Sequence, residues 1–105
     1  MANKVASKKL IERKDQCVYL DVREADELGE GTIDGAVNVP LGQLIRKARQ
    51  GDIDDLKGKK IITYCSGGYR GNITADELNK LGFDAVTIEG GYSAWKENGN
   101  KKEGP

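Results

Sequence analysis

Four stretches of this chain carry compact runs of apolar residues that are bounded by charged or turn-forming residues. Runs of this kind are typical of strands buried in a parallel sheet. The first begins at Cys17 and ends at Val22, and the clearest spans Lys60–Tyr64. Two shorter runs, 35–40 and 83–89, predict the other strands.

The segments between these runs predict helices. In the clearest one, apolar residues recur at three- and four-residue spacing and Gly51 follows as a stop signal. A second segment has the same inward-facing pattern and ends at Gly82. The predicted helical segments are 4–16, 23–31, 41–51, 71–82 and 92–98, of which 23–31 is a single turn closed by Gly29 or Gly31.

Strands and helices thus alternate along the chain. This order favours an α/β domain with a mostly parallel central sheet and helices on both faces. The length of 105 residues fits one domain. We expect that domain to span residues 1–100 and the last segment, 101–105, to be a polar tail.

The charge balance narrows the classes of partner. Lysine plus arginine and aspartate plus glutamate number 17 each, so the net charge is zero and no overall field attracts nucleic acid or membrane. We therefore expect neither as a partner. The sequence has no apolar run long enough to cross a bilayer and no signal-peptide pattern, from which we expect a cytoplasmic protein.

Histidine is absent from the chain. Cys–His and Ser–His nucleophiles and histidine-ligated metal sites are therefore excluded. The two cysteines, Cys17 and Cys65, are too far apart in sequence to form a metal-ligand pair by spacing. We expect neither a metal nor an organic cofactor, and a reactive cysteine must be activated here without an imidazole.

The sequence YCSGGYRGN (64–72) places Cys65 directly after the clearest strand. Ligands of parallel α/β sheets bind beyond the carboxyl ends of the strands, where Cys65 would lie. The two glycines that follow permit a sharp turn whose N–H groups face inward, and the helix predicted over 71–82 adds further N–H groups. Together with the positive charge of Arg70, this loop predicts a cradle for a Cys65 thiolate.

Two longer segments carry a further pattern. They are DVREADELGEGTIDGAVNVP (21–40) and ITYCSGGYRGNITADELNKLGFDAVTIEGGYSAW (62–95), and from first to last they extend over about three-quarters of the chain. These segments resemble the single-domain rhodaneses, the thiosulfate sulfurtransferase family. The loop 65–70, with glycine at its fourth place and arginine at its sixth, is similar to the family's loop, and Gly90, Gly91 and Trp95 resemble its glycine-glycine-tryptophan ending.

The resemblance implies a rhodanese-like fold and a two-step sulfur transfer with Cys65 as the nucleophile. Its thiolate would take the outer sulfur of a donor such as thiosulfate, polysulfide, mercaptopyruvate or a persulfide. Cys65 would then carry a persulfide until a thiol or cyanide accepts the sulfur, with ping-pong kinetics. A sulfur-accepting protein is a further candidate partner. The implied donor-binding residues of the loop are Ser66, Gly67, Gly68, Tyr69 and Arg70.

Asp21 and Arg23 end the neighbouring predicted strand and would share the rim of a parallel sheet with Cys65. They are candidate donor-binding residues, and the competing interpretation is a structural ion pair with nearby Glu24 or Glu27.

Two more residues, Arg70 and Cys17, admit more than one role. Arg70 either faces the thiolate and an anionic donor, braces the loop, or pairs with a surface carboxylate. Cys17 is interpreted as a packed structural thiol, and its second possible role is that of a resolving thiol. Trp95 is interpreted as core packing.

Three positions depart from the family pattern. Thr32 stands where histidine is usual, Asp34 where proline is common, and Gly71 where serine is frequent. None of them is the nucleophile, so these departures bear on loop rigidity and donor preference.

Different functions for the loop remain open. Cysteine phosphatases and arsenate reductases have five residues between cysteine and arginine, whereas this chain has four, Ser66–Tyr69, which suits a single sulfur atom better than a tetrahedral phosphate. The domain could also be a non-enzymatic rhodanese-like docking module, or a sulfur-carrier module of a larger redox protein. The sequence leaves open the physiological donor and acceptor, the oligomeric state, and whether the chain is part of a longer protein.

Overall fold

The computed structural model describes residues 4–5, 17–33 and 35–97. They contain a five-stranded sheet in which every pair of neighbouring strands is parallel. The strands are β1 (Lys4–Val5), β2 (Cys17–Asp21), β3 (Val37–Asn38), β4 (Lys60–Tyr64) and β5 (Asp84–Ile88). Their order across the sheet is β1-β5-β4-β2-β3, so β4 is the central strand.

Helices lie on both faces of this sheet, and the predicted α/β fold is confirmed. The α-helices are α1 (Leu41–Arg49), α2 (Tyr69–Lys80) and α3 (Gly91–Glu97). In the described residues, the 3₁₀ helix Ala25–Glu30 follows β2, and the 3₁₀ helix Asp54–Leu56 precedes β4. None of the helices in the described part of the chain is long and apolar enough to cross a membrane.

The two faces of the sheet bury separate apolar clusters, because successive side chains of a strand point to opposite faces. In β4, Ile61 joins the cluster that includes α1 and α2, whereas Ile62 and Tyr64 join the cluster that includes α3. Cys65 belongs to the first cluster. The thiol is therefore packed within the protein at the end of its central strand.

The N-terminal segment departs from the prediction. A helix is predicted over 4–16, but Lys4 and Val5 form β1, which pairs with β5. The helix prediction is wrong for these two residues, because a strand partner at the other end of the chain leaves no trace in local periodicity. The rest of the predicted helix, 6–16, and the predicted tail, 101–105, lie outside the described residues.

Helix α2 begins at Tyr69, two residues before the predicted start at 71. Gly68 precedes it with a φ of 106°, a left-handed conformation that costs glycine nothing sterically. The loop after Cys65 is therefore only three residues long, and Arg70 belongs to the first turn of α2.

Gly71 lies where α2 packs tightly on the sheet. A Cβ atom added here would lie 2.6 Å from Thr87 Oγ1 and 3.1 Å from Tyr64 Cα. The Thr87 hydroxyl is itself held in place, since it donates a hydrogen bond to the Thr63 carbonyl (3.1 Å). The departure from serine at this position therefore has a structural reason in this chain.

Gly71→Ala is expected to lower the free energy of unfolding by about 1–3 kcal/mol, the usual cost of overpacking a close contact. Gly42→Ala is the matched control, because Gly42 lies in α1 and an added Cβ would meet nothing within 4 Å. It should be neutral or stabilising by up to ~1 kcal/mol. Denaturant unfolding measures both, and equal effects of the two substitutions would contradict the tight contact at Gly71.

Candidate functional site

The candidate site lies at the carboxyl edge of the sheet. Cys65 directly follows β4, and β2 beside it ends at Asp21, which pairs in register with Tyr64. On the other side, β5 ends at Ile88 and leads through a turn into α3. Asp21 and Cys65 therefore share one rim of the sheet, as the parallel order of the strands predicts.

The Cys65 sulfur lies inside the loop that joins β4 to α2, and the residue is only 2% exposed. Its Sγ accepts hydrogen bonds from the backbone N–H groups of Gly68 (3.1 Å) and Gly71 (3.4 Å). Both N–H groups belong to the start of α2, where they have no partner within the helix and the helix dipole favours negative charge. Two converging donors suit a thiolate, because a neutral thiol is a weak acceptor.

Helix α3 holds the loop in this shape. The N–H of Tyr92 donates to the Cys65 carbonyl (2.7 Å), and the N–H of Ser93 donates to the Ser66 carbonyl (3.0 Å). Gly91 permits this approach, since its φ is 66° and an added Cβ would lie 2.7 Å from the Ser66 oxygen. The carbonyls of Cys65 and Ser66 are thus bound by α3.

We expect the residues after Cys65 to form the mouth of the site. Gly67 is exposed, and Ser66 and Gly68 are half-buried. Tyr69 is 78% exposed, so its ring stands at the surface. An incoming donor would meet these residues before it reaches the sulfur.

Arg70 is bound to a carboxylate of the neighbouring connection. Its Nη1 donates to Glu27 Oε1 (2.6 Å) and its Nη2 to Glu27 Oε2 (2.8 Å), which makes the ion pair bidentate. The structure therefore shows Arg70 paired with a carboxylate, and Arg70 also interacts with Cys65, whereas its contact with a donor stays a prediction. This pair joins the loop after β2 to the first turn of α2.

The pair is ionised at neutral pH. The hydrogen bonds from Arg70 lower the pKa of Glu27 to about 2, and the Glu24 backbone N–H contributes less. The pKa of Arg70 is raised, chiefly by Glu27 and to a smaller extent by Cys65. Because the Glu27 pKa is depressed, its stabilising effect is fully present above the unperturbed value of 4.5 and is lost only as the pH falls towards 2.

Asp21 and Arg23 form an ion pair beneath the rim, where they are 1% and 0% exposed. Arg23 Nη2 donates to Asp21 Oδ2 (2.6 Å) and Nε to Oδ1 (3.0 Å), and these hydrogen bonds are the main reason that the pKa of Arg23 is raised. The guanidinium also packs 4.9 Å from the centroid of the Tyr92 ring. Neither side chain has surface that a donor could contact, so this placement supports a structural ion pair. The partner of Arg23 is Asp21, and not Glu24 or Glu27.

Arg23 also fixes the 3₁₀ helix that carries Glu27. Its Nη2 donates to the Gly31 carbonyl (2.8 Å), and its Nη1 lies 3.5 Å from the Glu27 carbonyl. A capping box between Glu24 and Glu27 closes the start of the same helix. The two arginines are therefore linked through this helix. Arg23 holds the 3₁₀ helix in place, and Glu27 on that helix positions Arg70.

Glu27 and Gly91 are absent from the predicted site residues. The sequence offers Glu27 only as one of several carboxylates in an acidic segment, and Gly91 only as a turn glycine and part of the family ending. Of the two remaining departures from the family pattern, Thr32 is exposed, and Asp34 lies outside the described residues.

Cys17 lies at the opposite end of the sheet. It pairs with Lys60, five residues before Cys65, which corresponds to roughly 16 Å along β4. It is partly buried and packs against the cluster that includes α3, and neither cysteine forms a disulfide. At this separation, Cys17 cannot act as a resolving thiol for Cys65 within one molecule. No group of three or more metal-ligating side chains occurs in the part of the chain that the structure describes.

This chain is similar to known proteins in sequence and in fold. Residues 5–98 match the family model for the rhodanese-like domain. Over 91 residues the chain is 34% identical to YtwF of Bacillus subtilis (strain 168), whose name assigns it provisionally as a sulfurtransferase, and the match covers 87% of this chain and 84% of that protein. The structure of the human single-domain sulfurtransferase TSTD1 has a TM-score of 0.77 and 25% identity, and covers 98% of this chain and 100% of that one.

Other relatives are longer. The tRNA uridine(34) hydroxylase of Corynebacterium jeikeium (strain K411) is 36% identical over 91 residues. That match covers 82% of this chain but only 29% of the hydroxylase. Most of the hydroxylase therefore has no counterpart in this chain.

Arg23→Met is expected to lower the free energy of unfolding by about 3–5 kcal/mol, because Asp21 would remain buried without its counter-charge. Adding Asp21→Asn should recover part of this loss, since asparagine removes the charge and keeps an oxygen that can accept the hydrogen bond from the Arg23 N–H. Denaturant unfolding of the single and double variants measures both effects. Wild-type stability of Arg23→Met would show that the pair is dispensable for folding, contrary to its placement in the structure.

Proposed function

This chain belongs to the rhodanese-like domain family, and from that premise we propose that it is a sulfurtransferase whose Cys65 carries the transferred sulfur as a persulfide. The observation that carries the proposal is the pair of N–H groups, from Gly68 and Gly71, that point at Cys65 Sγ. The sulfurtransferase names of the relatives support the same class of reaction.

In the first half of the reaction, the Cys65 thiolate attacks the outer sulfur of the donor. A bond forms between Sγ and that sulfur, and the donor's own bond to it breaks. The electron pair of the broken bond leaves with the rest of the donor, which is sulfite when the donor is thiosulfate. One negative charge remains on the Cys65 persulfide, close to the amides that stabilised the thiolate.

In the second half, a thiolate or cyanide attacks the outer sulfur of the persulfide. The electrons of the sulfur–sulfur bond return to Sγ, and the Cys65 thiolate is restored. The same two amides stabilise Sγ as it becomes the leaving group. No proton needs to be moved by a base, which is consistent with a chain that has no histidine.

The shape of the loop favours donors with a terminal sulfur. Cys65 is almost fully buried, and only three residues separate it from α2. A single sulfur atom needs less room than the tetrahedral phosphate of a cysteine phosphatase. Contact of Ser66, Gly67 and Tyr69 with the donor remains a prediction, supported by their position at the mouth.

The proposed partners follow from this chemistry. They are a small sulfur donor and a thiol acceptor, with a sulfur-accepting protein as a further candidate. Location in the reducing cytoplasm and a single domain over residues 1–100 both remain predictions.

The experiment that tests the proposal is persulfide formation followed by intact mass, with thiosulfate, polysulfide, mercaptopyruvate and an organic persulfide as donors. We expect a gain of one sulfur atom with at least one donor, and its loss to cyanide as thiocyanate. Loading without transfer to small acceptors would indicate a sulfur-carrier module. If no donor loads the protein, a docking module is the better description and the proposal is wrong.

Cys65→Ser is expected to abolish both persulfide formation and thiocyanate production, because the nucleophile is lost. Cys17→Ser is the matched control and should keep most of the activity, since Cys17 lies at the other end of the sheet. Thiocyanate release and intact mass are measured for both variants, with circular dichroism to confirm folding. Equal loss in two folded variants would require a second essential thiol.

A further inference from the structure

The Glu27 carboxylate occupies the part of Arg70 that would otherwise hold an oxyanion. Both terminal nitrogens of the guanidinium donate to the two Glu27 oxygens, at 2.6 and 2.8 Å. Paired N–H groups of this kind are the arginine feature that binds carboxylates and the oxygens of anions bidentately. An anionic donor would have to compete with a carboxylate that is already in place.

Glu27 is held firmly enough for this competition to matter. The pair is only about one-third exposed, with side-chain exposures of 33% and 34%. The Glu24 N–H donates to Glu27 Oε1 (2.8 Å), and Arg23 holds the same 3₁₀ helix through the Gly31 carbonyl. Glu27 is therefore a built part of the site and differs in this from a surface carboxylate that meets Arg70 by chance.

The segments that neighbour the pair carry more exposed acidic side chains than exposed basic ones. Within segments 22–33 and 89–92, the exposed acidic side chains with a described position are Glu24, Asp26 and Glu89. The positive charge in those segments is Arg23, which is buried against Asp21. On α3, the Lys96 ammonium lies 5.4 Å from the centroid of the Tyr92 ring. With the charge of Arg70 neutralised by Glu27, the exposed side chains described in segments 22–33 and 89–92 are therefore acidic in sum.

We propose that Glu27 is a specificity-determining residue, which makes the site prefer sulfur donors with one negative charge or none over the dianion thiosulfate. This inference rests on the proposed sulfur transfer at Cys65. In this arrangement, the amides of Gly68 and Gly71 bind the sulfur. Glu27 accepts one N–H from each terminal nitrogen of Arg70 and neutralises its charge, which weakens the attraction of Arg70 for a dianionic donor. The donor is thus recognised mainly by its terminal sulfur.

Two sulfur donors of nearly equal shape distinguish the effect of donor charge from the effect of donor reactivity. Thiosulfate and methanethiosulfonate both present one outer sulfur attached to an oxidised sulfur, but methanethiosulfonate has a methyl group in place of one oxygen and carries one negative charge. With each, the Cys65 thiolate bonds to the outer sulfur and the sulfur–sulfur bond of the donor breaks. The electron pair leaves with sulfite in one case and methanesulfinate in the other.

The test measures kcat/KM with both donors, with cyanide as acceptor, for the wild type, Glu27→Gln, Glu27→Asp and Asp26→Asn. Glu27→Gln should raise the thiosulfate-to-methanethiosulfonate ratio about tenfold, because it removes a full charge from beside Arg70. Glu27→Asp keeps the charge and should keep the wild-type ratio. Asp26→Asn removes an exposed charge from the same 3₁₀ helix and should change the ratio less than about twofold.

The dependence of kcat/KM on ionic strength is a second measurement. A purely structural role of Glu27 would not make this dependence differ between the two donors. In the wild type, added salt should raise kcat/KM for thiosulfate more than for methanethiosulfonate, because it screens the acidic rim. In Glu27→Gln this difference should shrink.

Several outcomes would overturn the inference. An unchanged donor ratio in Glu27→Gln would do so while leaving sulfur transfer at Cys65 intact. Equal loss with both donors would make Glu27 a brace for the loop and no determinant of specificity. If neither donor forms a persulfide on the wild type by intact mass, and no other donor does, the proposed function and this inference fall together.

Discussion

The site depends on two hydrogen bonds between the start of α3 and the loop after β4. The N–H groups of Tyr92 and Ser93 bind the carbonyls of Cys65 and Ser66, at 2.7 and 3.0 Å. These bonds fix the peptide planes of the loop, from which the amides of Gly68 and Gly71 reach the sulfur. Only glycine fits at 91, because a side chain there would collide with the loop backbone. The cradle is therefore assembled from two connections, and neither could form it alone.

A second layer of the structure controls charge around that cradle. The buried Arg23–Asp21 pair holds the 3₁₀ helix after β2, and that helix presents Glu27 to Arg70. A buried arginine is costly to desolvate, and here its cost is offset by a carboxylate, backbone carbonyls and an aromatic face. In the proposed mechanism, backbone amides would stabilise the sulfur, and side-chain charges would determine which anionic donors bind. On this account, donor preference can change without disturbing the nucleophile.

Local sequence patterns predict the parts of this molecule that local forces determine. The run Lys60–Tyr64 matches β4 in both bounds, because the apolar residues of a buried strand are consecutive in the sequence. The glycines after Cys65 indicate a tight anion-binding loop, because the conformational freedom of glycine is a local property. The pairing of Arg70 with Glu27 spans 43 positions, and the choice among 17 acidic residues is made by the fold. Strand β1 escapes prediction for the same reason, since its partner β5 lies at the far end of the chain.

The central claim is that loop amides stabilise the charged sulfur of Cys65, and amide proton shifts measure this most directly. Backbone NMR of the labelled protein would compare Gly68 and Gly71 before sulfur loading, after loading, and after cyanide removes the sulfur. The account predicts that these two amide protons shift on loading and return on unloading, while Gly42 in α1 does not respond. Loading confirmed by mass with no response at Gly68 or Gly71 would contradict it.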